Sequence, residues 1–422
     1  MLPAPRLLDT ILASQLEGDA AVPGPLEGIK VVELGLWVAG PSAACMLGDW
    51  GAEVIKLEPP AGDPFRGLFA SLMGSPASLN PPFELDNRGK RSVVLDLEKE
   101  EGRQIALRLI GEADVFVTNN RPRVLRDFGL DYESLHQRFP RLVYGQVTGY
   151  GPDTEARDTA AYDIGAFWSQ AGVGMSLTAP GADIPQQRGG MGDHMTGQMT
   201  AGAICAALYN REKTGQGQRV SVPLVRVGVY MVGWDVMLAL RLGLPILPYD
   251  RYHAVNPIID CYKSGDGKWF WLLLLQADRH WGDLCRAIGR EDLMADERFK
   301  NIEVRRINAP VLVEELDNVF ATKPMAEWAA AFASNDVWWA PVNSVNEVVK
   351  DPMVQAAGAF VDVPGPDGTS QQMVATPADF SGTPWRAQGL PPELGQHTEE
   401  VLLELGYDWE GIIALKERGA IP

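Results

Sequence analysis

The sequence predicts an α/β protein built on a Rossmann-like, doubly wound parallel sheet, with a smaller α+β domain and a C-terminal segment that returns to the large domain. A buried strand at 28–34, a helix opened by Gly40-Pro41 and a strand at 52–57 follow one another, as the β-α-β crossover of a parallel sheet requires. The same alternation continues with strands at 92–97, 114–117 and 142–147 and a helix from Glu100 to about Glu112. A doubly wound sheet is the simplest fold with this order of elements.

The pattern changes twice further along the chain. A glycine-rich entry leads into an alanine-rich helix near residue 200, and an apolar helix follows that reaches about Leu242. The composition then shifts to Gly, Pro, Tyr and Arg, and the run 268–275 predicts a continuous apolar strand followed by helices. We therefore expect a large domain over 1–240, a small domain over 241–336 and a C-terminal segment, 337–422, that completes the large domain.

Composition limits the classes of function. The chain has 422 residues, 46% hydrophobic and 22% charged, which is typical of a globular protein. Its formal net charge of -18 argues against nucleic acid as a partner. The four cysteines have no paired spacing, no charged-then-apolar leader opens the chain, and no run approaches about 18 apolar residues. These features predict a cytoplasmic protein that does not span a membrane.

Common catalytic motifs are missing, which leaves carboxylates as the candidate nucleophiles. The five histidines include no i,i+4 pair and the chain has no C-x-x-C, so metal catalysis is not supported and no metal ligand is predicted. A G-x-S-x-G elbow, a Walker A loop and the dinucleotide-binding G-x-G-x-x-G of the first β-α turn are also missing. We therefore expect no permanently bound cofactor.

Asp193 is the main candidate, because four glycines surround it immediately before the alanine-rich helix. Backbone N–H groups at a helix start would stabilise its carboxylate and the oxyanion formed when it is acylated. The other interpretation is an ordinary Asp N-cap, which the pattern alone favours. The pattern likewise favours an N-cap role for Asp163 and a structural role for His194.

Six segments together resemble the family III CoA-transferases, the group of formyl-CoA, carnitine and bile-acid CoA-transferases that also contains the α-methylacyl-CoA racemases. The resemblance covers nearly the whole chain. The matching segments are Leu26–Leu34, Ala39-Gly-Pro41, Leu47–Glu58, Asn87–Leu97, Ala113–Asn119 and Lys213–Gln218.

The resemblance implies a reaction and its nucleophile. Gly192-Asp193 matches the Gly-Asp pair of these transferases, which implies that CoA passes from an acyl-CoA donor to a small carboxylic acid through an aspartyl anhydride and an aspartyl-CoA thioester. Coenzyme A thioester is then a substrate. Gly189 and Gly190 become hinge or close-approach positions beside the site. Family members are interlocked homodimers, so a homodimer is expected here.

The resemblance also indicates where CoA and the acid bind. Asn119 matches a CoA-contacting position of formyl-CoA transferase, and Ala39-Gly40 lie where its pantetheine chain passes. We add Arg91 and Arg126 for the phosphates, on charge and location alone. The remaining candidates for the CoA site and the acid pocket are Val38, Trp37, Tyr162 and Asp163.

Departures from the family pattern bear on the substrate. Val38 stands where formyl-CoA transferase has Gln, and its tetraglycine loop is missing, which disfavours formate and oxalate; Val38 and Trp37, with Trp338 and Trp339, favour a more apolar acid. Racemase activity is the main alternative. Racemases have a His-Asp pair at Tyr162-Asp163 and a Glu near Lys263, and both departures argue against it. A CoA-thioester-binding protein without transferase activity is the third possibility.

Overall fold

The computed structural model describes residues 22–74, 80–365 and 367–422, so the first 21 residues of the predicted large domain lie outside the described part. The described chain forms two compact units. Of the described residues, the first unit takes those within 22–171, 188–230 and 360–422, and the second takes those within 172–187 and 231–359.

The first unit is built around a six-stranded sheet in which every neighbouring pair is parallel. The strand order is β3-β2-β1-β4-β5-β6, so the order reverses between β1 and β4. This sheet confirms the predicted Rossmann-like α/β class. The strands are β1 (Lys30–Leu34), β2 (Glu53–Glu58), β3 (Arg91–Val94), β4 (Val115–Thr118), β5 (Val143–Thr148) and β6 (Arg219–Pro223).

Third in the chain, β3 ends at Val94, three residues earlier than predicted. The backbone N–H of Asp96 donates to the carbonyl of Ala420 at 2.9 Å. The chain thus leaves the sheet and forms a hydrogen bond with the C-terminal segment. The local sequence does not predict this contact.

Helices cover both faces of the sheet in the first unit. On one face, Val32 and Leu57 pack in a cluster with three helices between residues 100 and 138 and with the two C-terminal helices, which begin at Thr398 and Trp409. On the other face, Val31 and Val54 pack against the helix that begins at Ala39 and the helix that begins at Met191. Neighbouring strand residues thus serve opposite faces, as the two-residue repeat requires. The helices are α1 (Ala39–Asp49), α2 (Phe65–Met73), α3 (Pro81–Asn87), α4 (Glu100–Gly111), α5 (Pro122–Asp127), α6 (Tyr132–Arg138), a π-helix (Ile164–Gln170), α8 (Met191–Thr214), α9 (Leu224–Met231), α18 (Thr398–Glu404) and α19 (Trp409–Glu417); α7 (Val173–Ser176) belongs to the second unit.

A short antiparallel sheet and a helical layer make up the second unit. Its strands, in the order β7-β8-β9, are β7 (Cys261–Lys263), β8 (Trp269–Leu272) and β9 (Trp339–Pro341). Its aromatic core includes Phe270, Phe320 and Phe332. The helices after α7 are α10 (Gly233–Leu242), a 3₁₀ turn (Arg251–His253), α11 (Ala277–Ala287), α12 (Asp292–Ala295), α13 (Ile302–Ile307), α14 (Ala309–Phe320), α15 (Met325–Ser334), α16 (Val345–Val348) and α17 (Pro352–Ala356).

Three sequence expectations for this region differ from the structure. The apolar strand expected over 268–275 forms as β8 but covers only Trp269–Leu272, and its side chains alternate between exposed and buried, as is common where an antiparallel sheet is covered on one face. Since β9 pairs with β8, residues 337–359 fall in the second unit rather than in the C-terminal segment. The single apolar helix expected up to Leu242 is interrupted at Val232, and the units divide after residue 230.

The C-terminal residues 360–422 return to the first unit. They contain the hairpin β10 (Phe360–Pro364) and β11 (Ser370–Val374). The backbone N–H of His397 then donates to the carbonyl of Ser92 in β3 at 3.0 Å. Within the described ranges, no helix is both long enough and apolar enough to cross a membrane.

Candidate active site

A pocket of about 340 Å³ opens at the carboxyl ends of β1, β4 and β5. It lies between the loop after β1 and the loop after β4, where the strand order reverses. Open α/β sheets bind ligands at this switch point. The lining side chains include Leu36, Trp37, Val38, Ala39, Asn119, Arg121, Arg157, Tyr162, Asp193 and Leu224.

Hydrogen bonds with the side chains of Asn119 and Asp63 hold the backbone of the loop after β1 in an unusual conformation. The Asn119 side chain accepts from the Leu36 N–H at 2.9 Å and donates to the Leu36 carbonyl at 2.7 Å. Trp37 has a φ of 66°, and its N–H donates to Oδ1 of Asp63 at 3.1 Å. The Asp63 carboxylate also accepts from Lys56 at 3.0 Å. Asn119 therefore shapes the pocket wall, and its contact with CoA stays a prediction.

Tyr162 contacts Trp37 and shares its backbone strain. Its φ is 46°, and its ring meets the Trp37 ring edge-on with the centroids 6.1 Å apart. A non-glycine residue in such a conformation costs about 1–3 kcal/mol and persists only where its surroundings hold it. Two such residues in contact at one pocket make it the candidate functional site.

Glycines bring the helix that carries Asp193 close to its neighbours. Gly190, with a φ of 77°, precedes α8. A Cβ at Gly192 would lie 2.5 Å from the Phe167 ring of the π-helix, and one at Gly197 would lie 2.1 Å from Oγ of Ser42 in α1. Both glycines are thus required for packing, and this packing fixes Asp193 on the pocket wall.

Asp163 caps the start of α8 from another part of the chain. Its carboxylate accepts hydrogen bonds from the backbone N–H groups of Ile164, Gly192 and Asp193. Asp163 therefore occupies two of the N–H groups that were expected to stabilise the Asp193 carboxylate and its oxyanion, and that stabilisation stays a prediction. Asp163 was expected to cap the helix that follows it, but two of the three N–H groups that it bonds belong to the start of α8.

The pKa of the Asp193 carboxyl group lies near neutral pH. Burial raises its pKa first, the nearby charges of Asp163 and Asp86 add to the rise, and His194 opposes it; the result is a pKa of about 7. A carboxyl group with a pKa near the working pH, inside a pocket, is typical of a catalytic residue. Near pH 7 the carboxyl group of Asp193 is therefore divided between its ionised and protonated forms.

Most of the residues predicted for the site meet at the pocket. Trp37, Val38, Ala39, Tyr162 and Asp193 line it together with Asn119. Gly40 lies directly behind, because a Cβ there would be 3.2 Å from the Asn119 side chain. Gly189 precedes α8 with open space around its Cβ position, so the hinge role stays a prediction.

The two arginines predicted for the phosphates lie elsewhere. Arg91 begins β3, at the amino end of the sheet, and pairs with three carboxylates within 3.0 Å. Arg126 lies 3.5 Å from Asp158 and is not among the lining residues. The pocket is lined instead by Arg121 and Arg157. Arg121 follows Asn119-Asn120 directly after β4, and this position at the carboxyl end of a strand was the available sequence signal.

Comparison with known proteins decides the family. A sequence profile described as CoA-transferase family III matches residues 26–398. The chain belongs to CoA-transferase family III. The resemblance drawn from the six sequence segments is thereby confirmed, and so is the expectation of an enzyme of the CoA-transferase class.

Named relatives of family III cover almost the whole chain. The chain is 35% identical over 394 residues to an (R)-2-hydroxy-4-methylpentanoate CoA-transferase of Clostridioides difficile, covering 93% of this chain and 98% of the relative. It is 34% identical over 395 residues to a cinnamoyl-CoA:phenyllactate CoA-transferase of Clostridium sporogenes, covering 92% and 95%. The crystal structure of a CAIB/BAIF family protein from Brucella suis superposes with a TM-score of 0.80 at 31% identity, covering 91% and 100%. Membership of family III makes a CoA thioester the expected substrate.

Proposed function

We propose that the enzyme transfers CoA from an acyl-CoA to a carboxylic acid, with Asp193 as the nucleophile. The observation that carries the proposal is the position of Asp193, a carboxyl group with a pKa of about 7 on the wall of the switch-point pocket of a family III chain. No other carboxyl group is among the residues lining that pocket in the described part of the chain.

Two displacements at Asp193 account for the transfer. A carboxylate oxygen attacks the thioester carbonyl carbon, the C–S bond breaks, and CoA leaves as the thiolate while an anhydride forms. The thiolate then attacks the aspartyl carbonyl carbon, which releases the donor acid and leaves an aspartyl-CoA thioester. The acceptor carboxylate reverses both steps. An anhydride keeps the high transfer potential of a thioester, which an alkyl ester on Ser would lose.

The pocket wall favours an apolar acid. Trp37 and Tyr162 present aromatic rings, and Leu36 and Leu224 are aliphatic. Val38, where formyl-CoA transferase has Gln, packs with Phe65 and Phe83. Relatives named for 4-methyl-branched and phenyl-substituted 2-hydroxy acids agree with such a wall. We therefore propose branched or aromatic monocarboxylic acids as substrates, with Arg121 and Arg157 near the phosphates of CoA. Trp338 and Trp339, also considered for the acid, belong to the second unit.

A matrix of acyl-CoA donors and acids tests this proposal. With cinnamoyl-CoA or 4-methylpentanoyl-CoA as donor and a branched or aryl acid as acceptor, we expect a new acyl-CoA and ping-pong kinetics. The Asp193→Ala variant serves as the blank. If deuterium from D₂O entered the α-carbon of a 2-methylacyl-CoA and no acyl exchange occurred, racemisation would replace transfer as the function. If CoA thioesters bound with neither reaction, the binding-only alternative would hold.

We also propose a homodimer, as the family resemblance implies. In α10 no residue is buried within the chain, and Trp234 and Leu240 are 82% and 73% exposed. Large apolar side chains this exposed are typical of a surface that a partner covers. A native mass near twice the chain mass of 46.0 kDa supports the dimer, and a mass of one chain contradicts it.

A further inference from the structure

A histidine and a buried aspartate meet beside the nucleophile. Nε2 of His194, the residue after Asp193, lies 3.0 Å from Oδ1 of Asp86. The side chain of Asp86, near the end of α3, is only 3% exposed, whereas that of His194 is 41% exposed. The residues that line the pocket include Asp193 but not His194. The route from this pair to the pocket that the structure offers is therefore Asp193, the neighbour of His194 in the chain.

The imidazole ring covers the start of α8. A Cβ built on Gly190 would lie 2.9 Å from Cε1 and 3.1 Å from Nδ1 of His194. Side chains on a helix lean toward its amino end, which brings the ring over this position. The backbone N–H of His194 also donates to the Gly190 carbonyl at 2.8 Å. His194 thus ties the first turn of the nucleophile helix to α3.

His194 is the cation available to this group of carboxylates. Asp86, Asp163 and Asp193 all interact with it. The charges of Lys90 and Arg88 also reach Asp86, but each pairs more closely with another carboxylate. Lys90 lies 2.6 Å from Glu33, and Arg88 lies 2.6 Å from Asp49.

The electrostatics agree with a charged imidazole. Burial alone would lower the pKa of His194, but the hydrogen bond and charge of Asp86, together with the charges of Asp193 and Asp163, raise it. Burial raises the pKa of Asp86 in spite of the histidine. A neutral imidazole would leave three clustered carboxylates without a cation among them, which favours protonation of one of them.

We propose that Asp86 and His194 form a positioning pair, in which Asp86 holds a positively charged imidazole at the start of α8 so that Asp193 stays ionised and ready to attack. This inference rests on the proposed function, in which Asp193 is the nucleophile. It assigns His194 a charge role rather than the purely structural role that the sequence pattern favoured.

The pH dependence of kcat/KM tests the pair. His194→Gln removes the positive charge and is expected to move the acidic limb up by about one pH unit, so activity falls about tenfold below that limb and recovers at higher pH. Asp163→Asn removes a negative charge and is expected to move the limb down. His253→Gln is the matched control, since His253 pairs with Asp250 at 2.6 Å but is 78% exposed and lies in the second unit. In this control the acidic limb of the pH profile is expected to stay where it is in the wild type. An unmoved limb in His194→Gln, or an equal loss at every pH, overturns the proposal.

Titration of the histidine rings gives a test that needs no activity. In the full-length protein labelled with ¹³C at histidine Cε1, one ring is expected to lose part of its raised pKa in Asp193→Asn and again in Asp86→Asn. If no ring changes in Asp193→Asn, the charge coupling does not exist and the proposal is wrong. Absence of CoA transfer in the wild-type enzyme would instead contradict the proposed function, while the ring titrations would still decide the coupling.

Discussion

Asp193→Asn is expected to reduce CoA transfer by on the order of a thousandfold or more, because an amide cannot form the anhydride that begins the reaction. Asn keeps the size and shape of the side chain, so CoA should still bind. Steady-state kinetics with the best donor and acceptor measure the loss, and calorimetric titration with CoA measures binding. If transfer persisted within a few-fold of the wild-type rate, Asp193 would not be the nucleophile.

The same variant should also be more stable than the wild type above neutral pH. The pKa of Asp193 is raised to about 7 from an ordinary 3.8, so the folded state disfavours the carboxylate. This penalty is absent below about pH 4, grows as the pH rises and is complete above pH 7. Asn removes it, and the melting temperature should gain more at pH 8 than at pH 5. A melting temperature lowered equally at both values would indicate that Asp193 supports the fold instead.

Lys56→Met is expected to have the largest effect on stability, about 3–5 kcal/mol off the free energy of unfolding. Lys56 is fully buried between two equally buried carboxylates, Glu33 at 2.8 Å and Asp63 at 3.0 Å. Burial would lower the pKa of Lys56, but these carboxylates raise it. Methionine fills similar space but leaves two negative charges with one cation fewer. Asp63 also accepts a hydrogen bond from the Trp37 N–H, so we expect the loop after β1 to become more mobile in this variant.

Urea unfolding of Lys56→Met measures this loss, with Lys416→Met as the matched control. Lys416 lies 2.7 Å from Glu399, but the two side chains are 42% and 36% exposed. Exposed pairs of this kind contribute less than about 1 kcal/mol. Equal losses in the two variants would mean that burial does not determine the strength of the Lys56 network.

The elements that local pattern determines were predictable. The alternation of strand and helix patterns through residue 57 predicts β1, α1 and β2, since each element has its own hydrophobic periodicity and is bounded by Gly or Pro. The family resemblance added the interpretation of Asp193 as a nucleophile. The local pattern could not supply it, because a glycine-flanked Asp before a helix is also an ordinary N-cap.

Contacts between distant segments were not predictable. Asp86 and His194 are 108 residues apart, and the local pattern around neither residue points to the other. Asp163 looked like the cap of the helix that follows it, whereas packing of the π-helix against Gly192 brings it to α8. Arg91 was chosen for its charge and its approximate location in the chain. Charge does not say at which end of a strand a residue lies, and the carboxyl end of β4 pointed to Arg121.

Trapping the covalent intermediate is the most direct test of the central claim, that Asp193 carries the acyl group and then CoA. The wild-type enzyme is incubated with an acyl-CoA, treated with hydroxylamine, digested and analysed by mass spectrometry. The predicted result is a hydroxamate on Asp193, formed only when acyl-CoA is present. An Asp193 peptide that stays unmodified while CoA transfer proceeds would contradict the account.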